Sequence, residues 1–221
     1  MTAAEAARIF EEARRLAPHN RRAAVELFKR VVELPPGPEW GDAQLEVAGW
    51  AFEWDHREEA RERFQSIVEA DPSVRSELAW RTAAVTLSLV LEDLDLPVDT
   101  DLLRRALAAC EVGGHEHDEY SAGIAAGHLA RIELASGRRD AAREYLMRAE
   151  RHYNAARSMY AEPGAAYQLA KLAAEDGDLA AATEWLRRGL AHLANFPHAG
   201  RSVREMRQKL KAFLAQLGGR G

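Results

Sequence analysis

The sequence predicts an all-α chain built from stacked antiparallel helix pairs, and three observations predict it. The commonest residues are Ala, Leu, Arg and Glu, all strong helix formers. Apolar residues recur at steps of three and four, as in Ile9, Ala13, Leu16 and again in Leu78, Thr82, Val85, Leu89, whereas no stretch alternates with period two and no Asn-Gly hairpin occurs. The chain also repeats itself: Ala24, Phe28, Val31 and Pro36 return 36 residues later as Ala60, Phe64, Ile67 and Pro72, and Gly137, Ala142 and Leu146 return 40 residues later as Gly177, Ala182 and Leu186.

Turn signals divide the chain in order. "APHN" at 17–20 splits a first unit, about 3–36, which "PPGP" closes; a break near Asp55 and His56 splits a second, 41–73, which "ADPS" closes. The third unit, 75–112, is the most irregular, because "DLPVDTD" at 95–101 is a longer turn; it reads as a repeat or as a hinge. "SGRRD" at 136–140 and "DGD" at 176–178 split the fourth and fifth units, 118–160 and 164–196. A final amphipathic helix at 202–217 places Val203, Met206, Leu210, Phe213, Leu214 and Leu217 on one side, with Ser202 and Glu205 spaced as a capping box. It reads as a cap on the array or as a surface for homodimerisation. The expectation is ten helices in five pairs plus this one, forming a single domain over 1–221. Acid-before-base pairs at i, i+4 (Glu11/Arg15, Glu26/Arg30, Glu59/Arg63, Glu144/Arg148) mark exposed helix faces.

The recurring small, large, stop pattern has a physical reading. Two antiparallel helices approach closely only where side chains are small, so Ala48 and Ala60, twelve apart across a turn, should face each other. Phe64 lies one helical turn on and fills the gap toward the next pair, and Pro72 ends the unit. "AVELFKRVVELPP" and "EEARERFQSIVEADP", with "ASGRRDAAREYLMRAE" and "EDGDLAAATEWLRRGL", resemble the second-helix signature of the tetratricopeptide repeat (TPR). That resemblance implies a right-handed superhelical α-α solenoid whose first helices line a concave, peptide-binding groove. The matching positions are Leu45, Gly49 and Phe52, then Ile124, Gly127, His128, Arg131 and Leu134, then Tyr167 and Lys171. The set suits a peptide with apolar anchors and an acidic group. Asn20, Asn154 and Asn195 all fall outside the expected first helices, which argues against a Lys/Asn clamp on a C-terminal carboxylate.

Composition narrows the function further. A formal charge of −5 argues against a nucleic-acid binder. Cys110 is the sole cysteine, so no intrachain disulfide or thiolate cluster forms. The start, "MTAAEAARIFEEARR", carries acids where a secretion signal needs an apolar core, and the longest apolar run, 83–91, falls far short of the ~20 residues that span a bilayer. A soluble cytoplasmic protein without membrane contact is expected. "GGHEHDEY" at 113–120 offers His115, His117 and Asp118 as metal ligands, against a plain polar turn in which Asp118 or a neighbour caps the next helix. His128 reads as a packed histidine or a catalytic base. The arginine pairs 14–15, 21–22, 104–105, 138–139 and 187–188 read as solvated faces rather than phosphate sites, and Trp50, Trp54, Trp80 and Trp185 as inter-helix filler. No nucleophile elbow, phosphate loop, dinucleotide fingerprint or zincin motif is present. The expected function is a non-catalytic, cofactor-free scaffold for a protein or peptide. The alternatives are a small-molecule-sensing regulatory subunit or a metal-dependent enzyme on a helical-repeat scaffold.

Overall fold

The computed structural model describes residues 3–113, 116–156, 162–196 and 200–219. Within them the chain forms helices α1 (Ala3–Leu16), α2 (Arg21–Val32), α3 (Trp40–Glu53), α4 (Arg57–Glu69), α5 (Glu77–Asp93), α6 (Thr100–Gly113), α7 (Glu116–Ala135), α8 (Arg139–Ala155), α9 (Glu162–Glu175), α10 (Leu179–Ala194) and α11 (Arg201–Gly218), with a 3₁₀ turn at Pro72–Val74 and no strand. This is an all-α solenoid of helix pairs. Two compact units divide it, Met1–Ala106 and Leu107–Gly221, the division falling inside α6.

Four helix-to-helix turns begin with one device. At the ends of α3, α5, α7 and α9, a residue with positive φ follows the helix: Asp55, Asp95, Gly137 and Gly177. The N–H groups of these residues and of their successors fold back onto carbonyls of the last turn: Asp55 to Phe52 and His56 to Ala51, Gly137 to Leu134 and Arg138 to Glu133, and likewise for Asp95–Leu96 and Gly177–Asp178. This is the Schellman pairing, which satisfies otherwise orphaned carbonyls. Glycine reaches this backbone conformation freely; aspartate reaches it at some cost. In three of the turns the next helix starts two residues later, at Arg57, Arg139 and Leu179; after α5, six residues intervene before α6.

In the first unit, Ile9 and Ala13 of α1, Ala24, Phe28 and Val31 of α2, and Ala43 and Val47 of α3 make one cluster. Ala48 and Ala60 are both 0% exposed and Phe64 is 1% exposed, as the small-then-large spacing requires. Asn20 and Ser76 cap α2 and α5 through their side chains, accepting from Ala23 and Ala79 N–H. At Gly41 a Cβ would lie 2.4 Å from the Arg75 Cβ, so only glycine lets α3 pass that segment.

In the second unit, Ala130 and Leu146 pack with Leu169 and Leu172, and Ala170, Ala182, Leu186 and Leu193 pack with Val203, Leu210 and Leu217 of α11. Met206, Phe213 and Leu214 are also partly buried there, so the apolar side of α11 is spent on the fifth pair. The expected capping box on α11 does not form: Gly200 is the N-cap and makes no side-chain cap bond, while Glu205 accepts from Arg201 Nε at 2.7 Å. At Gly123 a Cβ would sit 2.5 Å from the Tyr153 ring, which crosses α7 at that glycine.

Other expectations need correction. Of the four i, i+4 pairs only Glu59/Arg63 forms, at 2.9 Å. Glu11 and Glu26 take the cation at i+3 instead, Arg14 and Lys29. Arg148 turns to Glu111 on α6, gripping both carboxylate oxygens at 2.8 Å. The arginine pairs are more than solvated faces: Arg21 reaches Glu53, Arg139 reaches Glu175 and Asp176, and Arg188 reaches Glu150, each tying one helix to another. Trp54 is no filler; it is 61% exposed and stacks on Trp50 with ring centroids 5.4 Å apart.

Replacing Phe64 with Ala should cost about 3–5 kcal/mol and Ala60 with Leu about 1–3 kcal/mol in urea unfolding. Gly123→Ala should likewise destabilise by about 1–3 kcal/mol. Wild-type stability in these three variants would refute the packing described.

Candidate functional site

The groove positions expected from the sequence lie on α3 in the first unit and on α7 and α9 in the second. On α7, His117, Tyr120, Ile124, Gly127, Arg131 and Leu134 follow one another at steps of three and four, so they share one face. All six are at least partly exposed. Tyr120, which the sequence reading omitted, belongs to this row. On α9, Gly164, Tyr167 and Lys171 form a similar row, with Lys171 exposed. The Tyr167 ring sits edge-on to Phe213 of α11 at 5.8 Å, which steadies it. A Cβ at Gly164 would meet nothing, so the start of that row is open.

Tyr153 of α8 underlies the α7 row. Its ring lies on Gly123, and a Cβ at Gly127 would be 3.5 Å from its hydroxyl. Burial pushes its phenol well above the ordinary tyrosine range, Tyr120 adds to the effect, and the Arg131 guanidinium opposes it. It is therefore held neutral as a floor under Gly127. His128 does not join the face: it is 3% exposed and packed within the unit.

In the first unit, Leu45, Gly49 and Phe52 are half-buried on α3, and the space over Gly49 is open. Phe52 is already occupied. The Arg57 guanidinium lies 4.3 Å from its ring centroid and donates to its carbonyl at 2.7 Å. A row that shares Gly49 with these residues carries acids, Asp42, Glu46, Gly49 and Glu53 at steps of four, three and four, with Glu46 and Glu53 exposed. Ser76 donates to Asp42 at 2.6 Å, and Arg21 pairs with Glu53 at 2.6 Å. Glu46 reaches solvent but is crowded by its surroundings; that desolvation pushes its carboxyl up, Asp42 and Glu53 add like charge, and Arg21 and Arg14 only partly offset it. The sequence reading passed over Glu46 because it followed the apolar positions; the regular Asp-Glu-Gly-Glu spacing was the available signal.

The 113–120 stretch resolves in part. His115 lies outside the described residues. His117 is exposed whereas Asp118 is 1% exposed, because consecutive helical residues point about 100° apart. Asp118 therefore sits in the first turn of α7 with its side chain turned inward. Among the described residues no group of three or more His, Cys, Asp or Glu side chains is placed to hold a metal. Glu119 faces His152 Nδ1 at 2.7 Å, and His152 Nε2 faces Glu111 at 3.1 Å, which joins α6, α7 and α8. Desolvation works against the charge on Glu111, but hydrogen bonds from Arg148 and His152 outweigh it and hold the carboxyl below the ordinary glutamate range. No described helix is long and apolar enough to cross a membrane.

This architecture is that of the TPR-like helical repeat proteins. BtubC (BKLC) from P. vanneervenii superposes with a TM-score of 0.52 at 17% identity, over 99% of this chain and 91% of that one. A Podosopora anserina structure described as putative kinesin light chain nearly identical TPR-like repeats superposes with a TM-score of 0.55 at 21% identity, over 86% of this chain and 96% of that one. No protein-family model and no curated protein matches the sequence.

The two displaced glutamates make opposite pH predictions. Glu46 is raised in the folded state, so its charge costs stability at neutral pH; Glu46→Gln should stabilise there, and the gain should vanish as pH falls below the ordinary carboxylate range. Glu111 is lowered, so its charge contributes stability above the ordinary range and loses it as pH falls through the folded value; Glu111→Gln should destabilise at neutral pH and be neutral in acid. Urea unfolding at the two pH values reads both signs, and matching signs would contradict the assignments.

Proposed function

We propose that this chain is a non-catalytic, cytoplasmic scaffold that holds a protein or peptide partner along the first-helix face of its second unit. The observation that carries the reading is the α7 row Tyr120, Ile124, Gly127, Arg131, Leu134, continued in kind by Tyr167 and Lys171 on α9. Phenols and aliphatic side chains offer desolvated contact at low entropic cost, and the two cations favour a segment that places an acid between apolar anchors. The open space over Gly164 at the start of the α9 row lets a backbone approach closely. The TPR-like fold, commonly a protein-interaction scaffold, supports the same class of function. The phenol beneath the face is held neutral by its burial.

Capture from native lysate, comparing wild type with Arg131→Glu/Lys171→Glu, tests the reading. The recovered partner should bind the double variant at least about tenfold more weakly, since both contacts change sign. Circular dichroism should show unchanged helicity. Equal affinity in the folded variant would reject this face.

A further inference from the structure

The first unit contains a recess that the partner-binding proposal does not use. Three helices wall it: Val68 and Glu69 of α4, Leu87 and Leu91 of α5, and Leu102 and Arg105 of α6, with Val98 and Asp99 at the α5–α6 turn. Its volume is about 370 Å³, within the roughly 300–1,000 Å³ range of small-molecule sites. The recess exists where the repeat is irregular. The turn after α5 opens with the same Schellman pairing as the others, but Pro97, Val98 and Asp99 are then inserted before α6 begins. Val68, Leu91 and Val98 remain only half-buried around the opening, above a buried floor of Leu87 and Leu102.

The polar groups of the rim differ in what they have left to offer. Asp99 is committed as the cap of α6, accepting from the Asp101 and Leu102 N–H groups at 3.0 Å each. Glu69 accepts from the Gln65 amide at 2.8 Å. On the wall, Ser88 spends its hydroxyl proton on the Val85 carbonyl at 2.7 Å. Arg105 is different: it is exposed at the rim, and no hydrogen bond or ion pair among the described residues engages it. The lining is mixed, with Gln65, Glu69, Ser88 and Asp99 beside the aliphatic side chains. An aliphatic floor with an uncommitted guanidinium at its edge is complementary to an apolar body that ends in an anion. A carboxylate matches the guanidinium fork in a bidentate pair.

We propose that this recess is a binding site for a small apolar carboxylate, with Arg105 holding the carboxylate and Leu87, Leu91, Val98 and Leu102 enclosing the aliphatic or aromatic body. It concerns first-unit residues alone and stands or falls independently of the partner face on α7 and α9.

Calorimetric titration of the full chain with octanoate, 1-octanol and octylammonium tests it, since the three probes share a chain and differ in charge. Octanoate should bind saturably at one site, about fivefold or more tighter than octanol, and octylammonium should be weakest. Arg105→Ala, at an exposed position, should remove the preference for octanoate over octanol. Leu91→Asp should abolish binding of all three, with circular dichroism confirming the fold. No saturable heat with octanoate, octylammonium binding as tightly as octanoate, or an unchanged preference in folded Arg105→Ala would each overturn the proposal.

Discussion

Close approach of helix backbones at alanine is the constraint on which the rest depends. Ala48, Ala60, Ala130, Ala142, Ala170 and Ala182 are completely buried, and each stands on a helix that packs on its pair or its neighbour. A larger side chain at any of them would push two rods apart and open the seam beside it. With the rods this close, single large residues such as Phe28, Phe64 and Leu186 fill the remaining space between layers. Stability in such an array is local, the sum of what each pair gains from the next, so terminal surfaces need closing. The α11 helix does that for the fifth pair by covering it with Val203, Leu210 and Leu217.

The second device is the recurrent turn. Asp55, Asp95, Gly137 and Gly177 all take the left-handed backbone conformation that lets the chain reverse while satisfying its last carbonyls. They are spaced 40, 42 and 40 residues apart, a longer period than the 36-residue echo of side chains between α2 and α4. Where the chain adds residues after this turn, between α5 and α6, the layers part and leave the recess with Arg105 at its rim.

Charge also ties helices to one another. Arg139 and Arg143 converge on the end of the α9 segment at Asp176, Arg148 clasps Glu111, and Glu150, nearly buried, faces Arg188. Such pairs stabilise little when exposed, but a buried carboxylate without its cation is costly, so they favour one alignment of neighbouring helices over others. Adjacent arginines in sequence therefore served different partners rather than one shared phosphate.

The helix pairs, the turn near Asp55 and His56, and the buried alanines were legible from the sequence, because each follows from a local rule: helical periodicity, the need of a turn for a special backbone conformation, and the small side chain a helix crossing demands. The row Ile124, Gly127, Arg131, Leu134 was legible for the same reason, since spacing alone places residues on one face of a helix. Other features depended on what lies across the gap between helices. Spacing could not tell that Arg57 covers Phe52, that Tyr153 fills the space over Gly123, that His128 faces inward, or that Arg148 prefers Glu111 to Glu144. Periodicity along a chain determines which residues share a side; only the packed neighbours decide whether that side meets water, a ring or a charge.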